Sequence, residues 1–468
     1  MPSNRAAAPD RGATADIAEF AVSTGIDDFP PEVVGHARLV ILDTIGAMIA
    51  ALDFPIGRIT TGYVADLGGR PDARIVGTDV RVSAPMAAYA NGTLAHALDF
   101  DDHKHLSTHT LPAALAVGEL VGATTADVLA AYVLGREVGA KLGAVIEAQR
   151  KFKRGPTYRG WYRVGVVGPI AAAVSAGVVL RLTSIQMRNA IGIAATSSGG
   201  LRRNQGTMAK ALHAGNGASD GVHAALLSAR GFSGDDAILE SELGLVSAIC
   251  LPGEADWSIL SGLGAPYDLA GKPGVKSFPS CSPSHRPIAA ALRLLHENAF
   301  DVDDIVAVEA DVHPFSLMRA DPREAIATGY SLPYLLAVAL LDGRVGLDQV
   351  GDARLSDPRV RTLMAKVRHD PSAAPADGPE RVTVQLSDGR VLVAEQAVKP
   401  DLHDEGPVTE KFTDCARRLL DEDQVERLRA AISAMPGDVP VSELLDLTAP
   451  EPAMTTPGNG STPGQQRR

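Results

Sequence analysis

Cysteine is scarce in this chain. Only Cys250, Cys281 and Cys415 occur in 468 residues, widely spaced and odd in number, which excludes a disulfide framework and a Cys-rich zinc site and points to a reducing cytoplasm. Aromatic residues make up 4%, too few for an aromatic-rich β-sandwich, while abundant Ala and Gly favour closely packed helices. There is no surplus of positive charge. The 44 Lys+Arg against 56 Asp+Glu give a net charge of -12, the wrong sign for a partner of nucleic acid or of an anionic membrane surface. The N-terminal stretch MPSNRAAAPDRGATADIAEF has no apolar core of signal-peptide length, and no run of about 18 apolar residues free of charge reads as a membrane span. No Gly-rich phosphate loop of Walker or dinucleotide type follows a plausible strand, so a nucleotide cofactor is unsupported.

What is present is helix. Residues 30–52 open on prolines and continue with apolar residues at helical spacing, as do the Ala/Val/Leu-rich segments 123–148, 165–182, 184–198 and 215–229, separated by Gly-containing turns. Between 260 and 285 the texture shifts to Gly, Pro and Ser, which marks a long loop or a junction. A helix is expected over 287–297, a strand over 304–312 and a further helix over 330–341. Residues 381–395, RVTVQLSDGRVLVAE, form two β-branched runs joined at Asp388-Gly389, a hairpin signal. Helical character returns over 401–435. The final stretch from Ala449 is rich in Pro, Gly, Ser, Thr and Gln and is expected to lack structure.

Three constellations could carry chemistry. The first lies in residues 90–119, where His96, His103, His105 and His109 are packed with Asp99, Asp101 and Asp102 around Phe100, between two helix-forming flanks that would fix them at helix ends or in a loop. Clustered His and Asp suit metals, but the spacing matches neither HExxH nor an EF-hand, and no metal is expected. The second is LRRNQGTMAKALHAG at 201–215. Its Lys210 and His213 share one helix face downstream of Arg202 and Arg203, and cations grouped in this way can grip carboxylates. The third is KSFPSCSPSH at 276–285, where two prolines stiffen a loop presenting Lys276, Cys281 and His285. A Cys-His nucleophile pair there would lack an orienting partner and an oxyanion hole.

In order, these constellations resemble the MmgE/PrpD family, through NGTLAHALDFDD at 91–102, GTMAKALHAGNGASDGVHAALLSARGFSG at 206–234, KSFPSCSPSH, and YSLPYLLAVALLDGRVG at 330–346. The resemblance implies a mainly α fold, with a large all-helical domain built from both ends of the chain (residues 16–268 and 401–446) and a smaller α+β lid domain inserted at 269–400. Residues 1–15 and 447–468 would be disordered, and the protein would be a homodimer. It also implies that Asp99, a histidine of the following loop, Lys210, His213, Lys276, Cys281 and Tyr334 lie in or near the pocket. Three departures stand out. His103 occupies a position that is commonly threonine in decarboxylase-like members. The loop is short, so the family's loop histidine aligns with His109 counted from DFDD but with His105 counted back from LPAALAVGE. Tyr162 stands where many members have histidine, and a phenol with an ordinary pKa of about 10 is a poor base near neutral pH.

The expected activity is that of a cofactor-independent lyase on a small di- or tricarboxylate, cis-aconitate decarboxylase-like or methylcitrate dehydratase-like, working by proton transfer next to a carboxylate. An iminodisuccinate-type epimerase and a non-catalytic carboxylate-binding protein are the alternatives. In this scheme Arg202, Lys210 and Lys276 supply fixed positive charge, and His103, His105 or His109 is the base. His213 or Tyr334 is the opposing acid, and Asp99 orients a histidine by accepting its second N–H. Arg203, Cys281 and Tyr162 complete the substrate-binding set.

Overall fold

The computed structural model describes residues 12–312, 319–370 and 378–451. Helices dominate, and their ends follow local chemistry. Pro31 opens Pro31–Ala51 at a position where its missing N–H costs nothing. Thr124 caps Thr125–Ile146 by accepting from the Asp127 amide, while the Asp127 carboxylate returns to the Thr124 amide at 3.0 Å. Thr183 and Gln186 repeat this reciprocal cap at Ser184–Ala195.

At the centre, Arg163–Val179 packs against Thr125–Ile146 and Leu212–Ala229, and the latter packs on Ala84–Ala97. Small residues make these approaches possible. At Gly215 an added methyl carbon would lie 2.2 Å from Thr93 Oγ1 and 2.6 Å from the Tyr89 carbonyl oxygen, so only glycine lets the two helices meet at this distance. Pro31–Ala51 is long and apolar enough to cross a membrane, with a mean hydropathy of 1.6, but 72% of that window is buried inside the protein and it carries Arg38 and Asp43. It is a core helix.

The described residues form two separate large apolar clusters. One runs from Ala13 to Val275 and takes in Phe412, Leu428 and Leu445 from the other end of the chain. The second lies between Ile288 and Ala394 and joins helices His285–Glu297, Leu332–Asp342 and Pro358–Met364 to a four-stranded sheet. Strand Ile305–Asp311 pairs parallel with Val367–Asp370 and antiparallel with Glu380–Leu386, which pairs in turn with Val391–Gln396. The expected hairpin is present, with Gly389 at a φ of 87° in its turn. The edge strand Val367–Asp370 was not anticipated, since VRHD has no apolar alternation.

Several elements differ from expectation at the chain's margins. Helix Ala13–Ser23 begins inside the stretch expected to be disordered, because Ala13 and Thr14 are fully buried and the Thr14 hydroxyl donates to Glu240 at 2.6 Å. Thr448, in the expected tail, is also fully buried and accepts from the Gly77 amide at 3.1 Å. Residues 1–11 and 452–468, the remainder of both expectations, lie outside the described residues. The last helical section is three helices, Glu405–Ala416, Glu422–Ser433 and Val441–Asp446.

Gly215→Ala is expected to lower unfolding free energy by about 1–3 kcal/mol through overpacking, measured as a lower urea midpoint with an unchanged slope. A midpoint equal to the parent's would mean that the two helices separate without cost.

Candidate active site

Helices Ala84–Ala97 and Ser107–Val121 leave a nine-residue connection between them, residues 98–106. It is held rigidly. Asp102 is buried and accepts from the Ser107 hydroxyl at 2.8 Å and the Lys104 amide at 2.9 Å, with the Arg136 guanidinium 3.2 Å away. Arg136 also reaches Asp268 at 3.0 Å. On the other side, Val275 bridges Asp102 and Leu402 in short antiparallel contacts, which brings Lys276 against the loop. Two of the four non-glycine residues with positive φ among those described are Asp99 at 51° and His105 at 59°. A left-handed conformation at such residues costs on the order of 1 kcal/mol or more and persists where surroundings impose it.

Asp99 is the hub. Its Oδ1 accepts from Lys276 Nζ at 2.7 Å and from Lys210 Nζ at 2.9 Å, and its carbonyl accepts again from Lys276 at 2.9 Å. All three residues are buried. Burial by itself would raise the Asp99 carboxyl, but the two ammonium groups outweigh it and hold it well below the usual carboxylate range. The lysines diverge. Burial wins at Lys210 and lowers its pKa, whereas at Lys276 the charges of Asp99 and Asp101 overcome burial and raise it. Lys276 is therefore a fixed charge, and Lys210 gives up a proton more readily than an ordinary lysine.

Beside this hub lies His105. Its Nδ1–H donates to Asp101 at 2.6 Å, leaving Nε2 as the free lone pair, 3.8 Å from Asp99 Oδ1. Burial lowers its pKa despite Asp101, so the ring is neutral at pH 7 and available as a base. The orienting carboxylate is Asp101, not Asp99, whose Oδ1 is taken by the lysines. His96 completes the group, with Nδ1 3.1 Å from Lys210 Nζ and Nε2 2.9 Å from the Tyr162 hydroxyl. Burial pushes His96 down to about 3 and, with the nearby carboxylates, pushes Tyr162 well above its ordinary value.

The other expected site residues have partners of their own. His103 pairs through Nε2 with Asp401 at 2.5 Å and stacks edge-on against His285. His109 is buried on the next helix with neither ring nitrogen hydrogen-bonded, and burial pushes it down to about 3. His213 is occupied by backbone on both sides. It donates to the Lys210 carbonyl at 2.9 Å and accepts from the Leu201 amide at 3.1 Å, so it has no free nitrogen to act as the opposing acid. Tyr334 lies in the core of the α+β unit and donates to the Gln349 carbonyl. Its helix begins only at Leu332, and it is Tyr330, in the preceding turn, whose ring faces Lys210 Nζ at 6.0 Å. Half-buried Arg202 binds Gln205 at 3.1 Å, and Arg203 is exposed. Cys281 is partly exposed, and burial pushes its thiol up to about 12, so no thiolate is available there.

Among the described residues, two groups have ligand-type atoms within 4.8 Å of one another, His96/Asp99/Asp101/His105 and His103/His285/Asp401. Lysine charge meets both. Lys210 and Lys276 are bonded into the first, and burial, with Lys276 and Lys399 adding to it, lowers both histidines of the second. Fixed ammonium groups at these positions oppose a second cation.

Residues 15–258 match the MmgE/PrpD N-terminal domain and residues 278–436 match the MmgE/PrpD C-terminal domain. The chain belongs to the MmgE/PrpD family. Among its relatives, human cis-aconitate decarboxylase is 28% identical over 434 residues, covering 85% of this chain and 86% of that protein. The Aspergillus terreus cis-aconitate decarboxylase is 26% identical, with 93% and 96% covered. The 2-methylcitrate dehydratase of Cupriavidus necator is 25% identical, with 88% and 92% covered. These relatives are lyases by name, and membership of the MmgE/PrpD family puts this enzyme with them. Three residues of this family member were not assigned a role from sequence. His96 and Asp101 stand in HALDFDD, but the string does not reveal which carboxylate faces which ring, and Tyr330 opens the quoted YSLPYLL without a role.

Two measurements follow from the histidines. His96, His103, His105, His109, His213 and His285 all have folded pKa values below the ordinary 6.5. Below that pH the unfolded chain binds protons that the folded chain excludes, so urea-measured stability is expected to be full above pH 6.5 and to fall as the pH drops. An unchanged midpoint between pH 7.5 and 5 would contradict the neutral rings. In the rate profile, the acid limb is expected below pH 6.5 and is lost in His105→Gln but kept in His103→Gln and His109→Gln. A parental profile in His105→Gln would move the base elsewhere.

Proposed function

We propose that this protein is a cofactor-independent lyase of a small tricarboxylate, acting as cis-aconitate decarboxylase or 2-methylcitrate dehydratase do. The observation that carries this reading is the buried carboxylate of Asp99 between two ammonium groups, with the neutral Nε2 of His105 at 3.8 Å. Lys210 and Lys276 are balanced by the carboxylates of Asp99 and Asp101, so the charge that a substrate carboxylate completes comes from Arg202, beside Tyr162 and Cys281. In a dehydration, His105 removes a proton from the carbon next to a carboxylate, the electron pair forms the double bond, and hydroxide leaves with a proton from Lys210 as water. In a decarboxylation, the C–C bond breaks, carbon dioxide departs without the electron pair, and the carbon left behind takes a proton from Lys210. Both routes build negative charge on a carboxylate-conjugated carbon, which Lys276 is fixed to stabilise.

The α+β unit serves as the lid over this site in the proposal, supported by Lys276, Cys281 and Tyr330, which belong to the segments entering it. A homodimer in a reducing cytoplasm completes the reading, supported for the compartment by three free thiols; light scattering checks the dimer.

Incubation with cis-aconitate and 2-methylcitrate in deuterated water, followed by NMR, is expected to give loss of carbon dioxide with one deuterium delivered to carbon, or loss of water with none. Deuterium exchange with every skeleton atom retained would instead point to epimerisation. Lys210→Ala is expected to lower turnover at least about a hundredfold in a folded protein, the usual effect of removing a preorganised charge, and Lys210→Arg should not restore it. Near-parental turnover in a folded Lys210→Ala protein would remove Lys210 from the chemistry.

A further inference from the structure

The two loops that meet at Asp99 come from distant parts of the sequence, and one side chain outside the reaction cluster touches both. Lys411, on helix Glu405–Ala416, is buried. Its ammonium group donates to the Phe100 carbonyl at 2.5 Å and to the Lys276 carbonyl at 2.9 Å. It lies 2.6 Å from the carboxylate of Asp43 on helix Pro31–Ala51 and 3.8 Å from the centre of the Phe100 ring. The carbonyls belong to the residue directly after Asp99 and to Lys276 itself.

We infer that Lys411 is a positioning residue for the reaction: it clamps the backbone beside Asp99 to the backbone of Lys276 and so sets the geometry of the Asp99–Lys276 pair. The inference rests on the lyase reading for its catalytic consequence and on geometry alone for the clamp. Two of the ammonium's N–H donors go to the two carbonyls, and Asp43 supplies the counter-charge beside it. No backbone hydrogen bond between Phe100 and Lys276 does this work among the described residues, since the neighbouring ladder joins Asp102 to Val275. A cleft of about 710 Å³ opens on the far side, lined by Phe100, Ser277 and Lys411 among others. Without the ammonium, water from that cleft would take over the two carbonyls, and nothing would keep them at one spacing. Asp43 balances the charge so that the clamp is neutral as a unit.

The test uses full-length Lys411→Met, which keeps the apolar stem, and Lys411→Arg, which keeps the charge but presents a planar fork in place of a compact ammonium. Hydrogen–deuterium exchange read peptide by peptide is expected to rise in residues 98–106 and in 274–281 together, while helices Arg163–Val179 and Leu212–Ala229 keep parental protection. The kcat on the best tricarboxylate is expected to fall about a hundredfold, more than KM rises, as a displacement of about 1 Å would produce. Parental exchange in both loops overturns the clamp, and raised exchange with parental kcat overturns its role in the reaction. Should Lys411→Met fail to fold, Lys411→Arg carries the same two readouts with the same expectations. Exchange needs no substrate, so if the parent turns over no tricarboxylate the lyase reading fails alone and the exchange result still decides the clamp.

Discussion

Lys210 and Lys276 share the single carboxylate of Asp99 in surroundings that exclude water. Each buried ion costs several kcal/mol of lost hydration, and only close, well-directed contacts offset it. Three ions of this kind cannot be tolerated independently, so the rest of the site follows from holding them together. The split between the lysines is a result of the same arrangement. Lys276 touches Asp99 twice and stays charged, while Lys210 touches it once, faces His96, and is drawn down toward a pKa at which it can release a proton. Two chemically identical side chains acquire different tasks through one bond more or less.

The scaffold explains why such a group can be held. Glycine contacts bring Ala84–Ala97 and Leu212–Ala229 close enough that the end of one helix and the start of the other deliver Asp99 and Lys210 to the same place. Asp102 and Arg136 fix the far end of the connecting loop, which lets Asp99 and His105 remain in left-handed backbone conformations that a free loop would leave. Packing precision at the helices and strain in the loop are thus two sides of one arrangement.

Much of this was legible in the sequence, for identifiable reasons. Long helices declared themselves through apolar spacing over three or more turns, and the hairpin through Asp388-Gly389. The polar cluster was visible as a cluster, yet its internal wiring was not. DFDD alternates its carboxylates around a loop, and nothing in the string says that Asp101 would orient His105 while Asp99 goes to the lysines. His213 shares a helix face with Lys210, but helical spacing could not disclose that backbone groups of residues 201 and 210 would occupy both its nitrogens. Tyr334 was named through the family resemblance alone, whereas Tyr330, in the turn before helix Leu332–Asp342, is the tyrosine whose ring faces Lys210. Lys411 gave no signal, because a lysine on an amphipathic helix normally reads as a solvated charge.

The pairing of Asp43 with Lys411 joins residues near opposite ends of the chain. When helix Pro31–Ala51 emerges from the ribosome, its one central carboxylate has no counterion for more than three hundred and fifty further residues. Burial keeps the Asp43 pKa raised to about 6 even with Lys411 in place. Helix Pro31–Ala51 packs on Glu405–Ala416, the helix that carries Lys411, so one late segment of the chain both covers the early helix and ties the two loops of the site together.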